Sequence, residues 1–225
     1  MTIRRLLMLR HGQTEYNAVS RMQGQLDTKL SELGREQAIA AAQVLAKRQP
    51  LLIVSSDLRR SLDTAVALGD ICGQPVSIDT RLRETNLGDW QGMTHHEVDA
   101  ASPGARLAWR DDARWAPHGG ESRVDVAHRS VPLVRELVAQ QPEWGADEPD
   151  RPVVLVAHGG LIAALTGALL ALPVDNWPVL GGMGNASWVQ LAGHTRRDRE
   201  PGSFDDIRWR LDVWNASAQV ANDVL

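Results

Sequence analysis

Residues 152–160 read PVVLVAHGG. A valine-rich apolar run closed by a pair of glycines reads as a β-strand that ends where the chain must turn. The residues after it, LIAALTGALLAL from Leu161, read as a helix. The same alternation extends outward. IRRLLML from Ile3 reads as a short buried strand ending at Arg10, and LLIVSS from Leu51 and VSID from Val76 as two more strands. Helices fall between them. SELGREQAIAAAQVLAKR has Ser31 as a natural N-cap and apolar residues at Leu33, Ala38, Ala41, Ala42 and Leu45. RRSLDTAVALGDIC from Arg59 is the next helix, and NASWVQL and IRWRLDVWN read as two late strands paired as a hairpin. Strands alternating with helices imply βαβ units, hence an α/β three-layer sandwich with a mostly parallel central sheet flanked by helices.

The stretch from about residue 87 to 150 breaks this rhythm, being rich in Gly, Pro, Trp and charge. It is expected to form a helical and irregular lid inside a single domain spanning 1–225, with QQPEWGADEPDRP as a surface loop leading back to the core.

Composition narrows the class of function. A chain of 225 residues with a formal charge of -4 has no basic field for nucleic acid, so an anionic ligand needs a local cluster of cations. One cysteine, Cys72, precludes an internal disulfide and fits a reducing cytoplasm. The apolar run near the N-terminus is too short for a signal peptide, and no stretch is long enough to span a membrane. Asn185 and Asn215 each begin an Asn-Ala-Ser triplet, a chance match in a cytoplasmic chain. Eight Trp stand against one Tyr and one Phe. Trp90, Trp109 and Trp115 lie in polar settings, where they either pack at the edge of the core or offer a flat wall to a sugar ring.

In open parallel sheets, ligands bind beyond the carboxyl ends of the strands. Arg10 and His11, Ser55 to Arg60, and His158 and Gly159 all fall at such ends, and Glu84 follows the third strand. Arg10, His11, Arg60, Glu84 and His158 are therefore expected in one crevice. Two guanidinium forks match phosphate oxygens, a neutral imidazole is a nitrogen nucleophile, and a carboxylic acid can protonate a departing alkoxide. Each residue also has an ordinary reading. Arg10 suits a surface ion pair, a histidine after a strand suits a satisfied core position, and Glu84 suits a pairing with Arg81 or Arg83. A metal centre fits poorly, because Glu84 is the sole acid of the five and the arginines repel a cation.

LRHGQTEYN from Leu9 resembles the Arg-His-Gly signature of the histidine phosphatase superfamily, also called phosphoglycerate mutase-like. The resemblance continues in order through QGQLDTKLSELGREQA, SSDLRRSLDTA, LRETNLGDWQG, GGES and VLVAHGG, covering nearly the whole chain. It implies the phosphoglycerate mutase-like fold, no cofactor and no metal. By that resemblance His11 is the phosphorylated nucleophile, Arg10, Arg60 and His158 line the phosphate, and Glu84 is the proton donor. Asn17, Gln23, Gly24 and Gly159 fall where the family touches phosphate or adjoining substrate atoms.

The superfamily divides into phosphatases and mutases. LRETNLGDWQGMT resembles the phosphatase style, and the second histidine is followed by Gly-Gly where the mutases have Gly-Asn. Further matches in GQLDTKLSELG, APHGGESRVDVA, LALPVDNWPVLGGMGNASWVQL and RWRLDVWNASAQV imply a small phosphorylated substrate, glucosyl-3-phosphoglycerate. Its hydrolysis to glucosylglycerate belongs to methylglucose lipopolysaccharide biosynthesis. A cofactor-dependent phosphoglycerate mutase and a broad-specificity phosphatase are the alternatives. In the lid, Trp90, Trp109 and Trp115 could stack the glucose, and Arg106, Arg110, Arg114 or Arg123 could meet the carboxylate. His95, His96, His118, His128 and His194 read as surface or lid residues. The late strands offer an edge for a homodimer.

Overall fold

Five apolar residues in succession, Val153–Ala157, leave a strand no polar face, so both of its sides must be covered. The computed structural model describes residues 3–146, 150–195 and 203–218, and there this strand lies inside a six-stranded sheet. In chain order the elements are β1 (Ile3–Arg10), α1 (Glu15–Ala18), α2 (Glu32–Leu45), β2 (Leu52–Ser55), α3 (Arg59–Cys72) and β3 (Val76–Ile78). They continue with α4 (His95–Ala101), α5 (Ala105–Asp111), α6 (Arg123–Gln140), β4 (Val153–Ala157), α7 (Gly159–Leu169), β5 (Trp188–Thr195) and β6 (Ile207–Ala216). The strand order is β3-β2-β4-β1-β5-β6. β1 pairs parallel with β4, and β2 pairs parallel with both β4 and β3. β5 runs antiparallel to β1 and to β6, so the two late strands do lie side by side. The fold is the α/β three-layer sandwich expected.

The period of two in β1 separates the layers. Leu7 and Leu9 face a core shared with Ala41, Ala42 and Leu45 of α2 and Ala65 and Leu68 of α3. Leu6 and Met8 face the opposite core with α6 and α7. Ser31 caps α2 as expected, its hydroxyl accepting from the Gly34 amide at 3.0 Å. Leu33, however, faces solvent at 46% exposure, and the buried stripe of α2 starts at Gly34.

The stretch from 87 to 150 divides in two. Residues 88–111 hold short helices beside the crevice, whereas α6 is an 18-residue core helix. Its start is a capping box between Ser122 and Asp125, and Val126, Leu133, Val134 and Leu137 are buried. The expected surface loop after it is pinned by Trp144. That side chain is 0% exposed, packs on Trp209 at 6.1 Å, and donates from Nε1 to the Arg5 carbonyl at 3.0 Å. Truncation removes the largest fully buried side chain and one satisfied donor. Trp144→Ala is expected to cost about 3–5 kcal/mol, read as a lowered urea midpoint with an unchanged slope.

Parallel pairing fixes what meets at the carboxyl end. Arg10 of β1 sits opposite Ala157 of β4, and the His11 amide donates to the Ala157 carbonyl at 3.1 Å. The residue after each strand is thus a histidine, His11 beside His158.

Candidate active site

The chain leaves β1 under tight steric control. A Cβ on Gly12 would collide with the Gly34 carbonyl of α2, so only glycine lets the loop after His11 pass this close to the helix. The Gly12 amide donates to Thr64 of α3 at 3.1 Å, tying that loop to α3 as well.

His11 is buried, and its Nδ1 lies 2.7 Å from the Gly12 carbonyl. A carbonyl only accepts, so Nδ1 carries the hydrogen and Nε2 keeps a free lone pair. Burial, then the nearby Arg60 and Arg10 charges, push the His11 pKa well below its ordinary value, so the ring is neutral. His158, the N-cap residue of α7, stands with its ring centroid 5.2 Å from that of His11. It too is held neutral, by burial first and then by Arg60, His11, Arg10 and Arg129. Both His158 ring nitrogens are buried without a hydrogen-bond partner among the described residues.

Two guanidinium groups complete the cationic wall, that of Arg60 buried and that of Arg10 half-buried. Arg60, 1% exposed, reaches in from the first turn of α3 and donates to the Leu26 carbonyl at 2.7 Å and the Gly24 carbonyl at 2.8 Å. Arg10 donates to the Met183 carbonyl. The Nε of each is buried and unpartnered. Burial lowers the Arg60 pKa to about 10, with Glu84 and Asp27 opposing it, and burial likewise lowers that of Arg10. Neither has a carboxylate within ion-pair distance among the described residues. Two forked cations with no carboxylate in ion-pair contact among the described residues suit an anion with several oxygens.

Glu84 does not pair with Arg81 or Arg83. Arg81 is taken by Asp79 and Glu136, and Arg83 by Asp57. The Glu84 carboxylate instead docks on the start of α7. Oε1 accepts from the Thr85 amide at 2.8 Å and the Leu161 amide at 3.0 Å, and Oε2 from the Gly160 amide at 3.1 Å. Helix α7 therefore begins at Gly159, two residues earlier than its apolar pattern suggests, and uses its first amides to hold the acid. A Cβ on Gly160 would lie 2.6 Å from Glu84 Oε1 and 2.7 Å from Thr85 Oγ1. Gly160→Ala is expected to lower kcat on an alkyl phosphate by about ten- to a hundredfold by displacing this carboxylate. Stopped assays with a folded variant measure it.

The remaining expected contacts supply donors. Asn17 Oδ1 accepts from the Thr14 amide at 3.1 Å and from Asn185 Nδ2 at 3.2 Å, which leaves its own NH₂ for a ligand. Gln23 Oε1 lies 3.0 Å from the Thr14 hydroxyl and accepts from Thr28, leaving its NH₂ in the same way.

One cavity of about 310 Å³ gathers Arg10, His11, Asn17, Gln23, Gly24, Arg60 and Glu84. His158 is fully buried beside His11 and does not line the space, and Gly159 stands against the Arg10 side chain. Ser20, Arg21, Met22, Leu87, His95 and Trp109 also line it. Arg21 and Met22 are legible only through their place between Asn17 and Gln23 in sequence. Of the three lid tryptophans, Trp109 alone lines the cavity. Trp90 and Trp115 stack on each other at 5.3 Å in a small core with Met22, Leu87 and Val98. Arg106, Arg110, Arg114 and Arg123 do not line it; Arg106 pairs with Asp99 and Arg114 with Asp175. His118 is exposed and pairs with Asp89, while His194 departs from the expected surface setting, with both ring nitrogens buried. Among the described residues no three His, Cys, Asp or Glu side chains cluster as metal ligands.

A neutral imidazole with a free nitrogen, two guanidinium groups and a carboxylate thus stand around one cavity. Residues 6–215 match the histidine phosphatase superfamily (branch 1). The chain belongs to this superfamily. It is 87% identical, over the full length of both chains, to glucosyl-3-phosphoglycerate phosphatase of Mycolicibacterium vanbaalenii. It is 76% identical to the protein of that name from Mycobacterium tuberculosis, again over the full length of both. The mycobacterial glucosyl-3-phosphoglycerate phosphatase solved with VO3 superposes with a TM-score of 0.91 at 76% identity, over 95% of this chain and 100% of that one. The complex with inorganic phosphate gives 0.89 at 74% identity, over 97% and 100%.

Proposed function

We propose that this superfamily member is a metal-independent phosphomonoesterase that hydrolyses glucosyl-3-phosphoglycerate to glucosylglycerate and phosphate. One observation carries the chemistry: the His11 Nε2 lone pair stands free inside a pocket of two guanidinium groups that, among the described residues, have no carboxylate within ion-pair distance. The full-length 87% identity to a phosphatase of this name supports the substrate.

In the first step the Nε2 lone pair attacks phosphorus, the bond from phosphorus to the glycerate oxygen breaks, and Glu84 gives its proton to the departing alkoxide. In the second, water attacks phosphorus, the phosphorus–nitrogen bond breaks, and Glu84 takes the proton from water. Arg10, Arg60, Asn17 and Gln23 bind the phosphoryl oxygens throughout, with His158 packed beside His11. A loose transition state asks mainly for such positioning and fixed positive charge.

The same reading places the enzyme in methylglucose lipopolysaccharide biosynthesis, in the cytoplasm, as one domain over 1–225 whose lid is the part of 87–150 that precedes α6. Among the described residues no helix is long and apolar enough to cross a membrane. A homodimer would use the late strands, since β6 is an outer strand of the sheet, and light scattering tests it.

Phosphate release from glucosyl-3-phosphoglycerate, mannosyl-3-phosphoglycerate and 3-phosphoglycerate, with and without chelator, tests the function. Release fastest from the first and indifferent to chelator is expected. Isomerisation of 3-phosphoglycerate in the presence of a bisphosphoglycerate, with no free phosphate, would replace it with a mutase.

A further inference from the structure

Part of the cavity wall is chemically unlike the phosphate-handling residues. It is formed by Ser20, Arg21, Met22, Leu87, His95 and Trp109. Three of these carry polar groups with capacity to spare. Trp109 Nε1 is buried and has no hydrogen-bond partner, a donor left unmade at a cost that calls for an explanation. Its ring is held in place by Trp90, edge-on at 6.0 Å, and by the Arg123 guanidinium 5.7 Å from the ring centroid. His95 opens α4 next to the Thr94 cap. Arg21 is anchored through Nη1 alone, to the Gly92 carbonyl at 2.6 Å and, more weakly, to Glu97 at 3.5 Å. The rest of its guanidinium fork is uncommitted.

We infer that this wall is a leaving-group subsite in which Arg21 takes the carboxylate of the glycerate moiety while the Trp109 indole N–H, with His95 beside it, takes hydroxyls of the sugar. The inference rests on the substrate proposed above and deepens it. Charge decides between the two halves of the ligand. A carboxylate is bound most strongly by a forked cation, and Arg21 is the guanidinium on the wall outside the phosphate grip. Sugar hydroxyls need a neutral donor, a neutral acceptor and an apolar face, which an indole and an imidazole supply together. Burial, with Arg106 and Arg110 nearby, lowers the His95 pKa, in keeping with a neutral ring.

Each contact is read by a ratio between two substrates, so a general loss of activity cancels. In Arg21→Gln, kcat/KM for 3-phosphoglycerate relative to glycerol 3-phosphate is expected to fall about tenfold or more, chiefly through KM. Arg21→Lys should restore part of that ratio by returning the charge. In Trp109→Phe, which keeps the ring and removes the N–H, kcat/KM for glucosyl-3-phosphoglycerate relative to 3-phosphoglycerate is expected to fall about fivefold. Equal losses on both members of either pair would overturn the assignment of that residue and make its role structural. The wild type separates the two levels of the argument. A wild type inert toward glucosyl-3-phosphoglycerate overturns the proposed substrate, while the Arg21 ratio still reports on the carboxylate contact.

Discussion

His11→Ala is expected to lower turnover on every phosphomonoester by on the order of ten-thousand-fold or more, because it removes the atom that accepts the phosphoryl group. The geometry leaves no understudy. Among the described residues His158 is the one other imidazole in ring contact with His11, but it is fully buried and does not line the cavity. The cationic groups and Glu84 survive the substitution, so phosphate and vanadate should still bind, and titration against either anion would show it. A second measurement addresses the intermediate. Rapid acid-free quenching of the wild type with labelled substrate should trap about one phosphoryl group per chain, on nitrogen and labile to acid. Label retained in His11→Ala, or phosphate released at a rate near that of the wild type, would remove the nucleophile from position 11.

Glu84→Gln should cost on the order of a hundredfold or more in kcat on an alkyl phosphate, whose alkoxide leaves only with a proton. On an aryl phosphate, where the leaving oxygen is already stable as an anion, the loss should be much smaller. The substitution is nearly isosteric, and one amide oxygen can keep part of the hydrogen bonding to the Gly160 and Leu161 amides. The amide nitrogen, however, must face a donor there, so some displacement adds to the lost proton. Comparing the two leaving groups separates these effects, since displacement alone would affect both. Equal losses would strip Glu84 of the acid role and leave it as a brace for α7.

Much of this site was legible before any coordinates, for a specific reason. Parallel strands put their carboxyl ends on one side of the sheet, so Arg10, His11, His158 and Glu84 could be gathered from strand order alone, and Arg60 follows from the turn after β2. What escaped depends on contacts between distant segments. Trp144 sits in a stretch whose composition is that of a loop, and only the Arg5 carbonyl and the α6–α7 core make it interior. Gly159 and Gly160 look like a turn, but the Glu84 carboxylate lets the helix begin there. Trp90, Trp109 and Trp115 are indistinguishable by residue type: Trp90 is buried in the Met22–Leu87–Val98 cluster, Trp109 and Trp115 both pack against it, and Trp109 also reaches the cavity wall. Arg21 carries no pattern that sets it apart from the arginines of the lid.

The docking of Glu84 on α7 has a consequence for how such a protein diversifies. The acid and the second histidine hang from one helix end, and that end is welded to the sheet through β4. Bond-breaking is thereby insulated from the short helices α4 and α5, which line another part of the cavity through His95 and Trp109. Drift in those two helices can trade one alcohol for another while the catalytic geometry stays untouched, which gives a lineage room to acquire new substrates without first losing its chemistry.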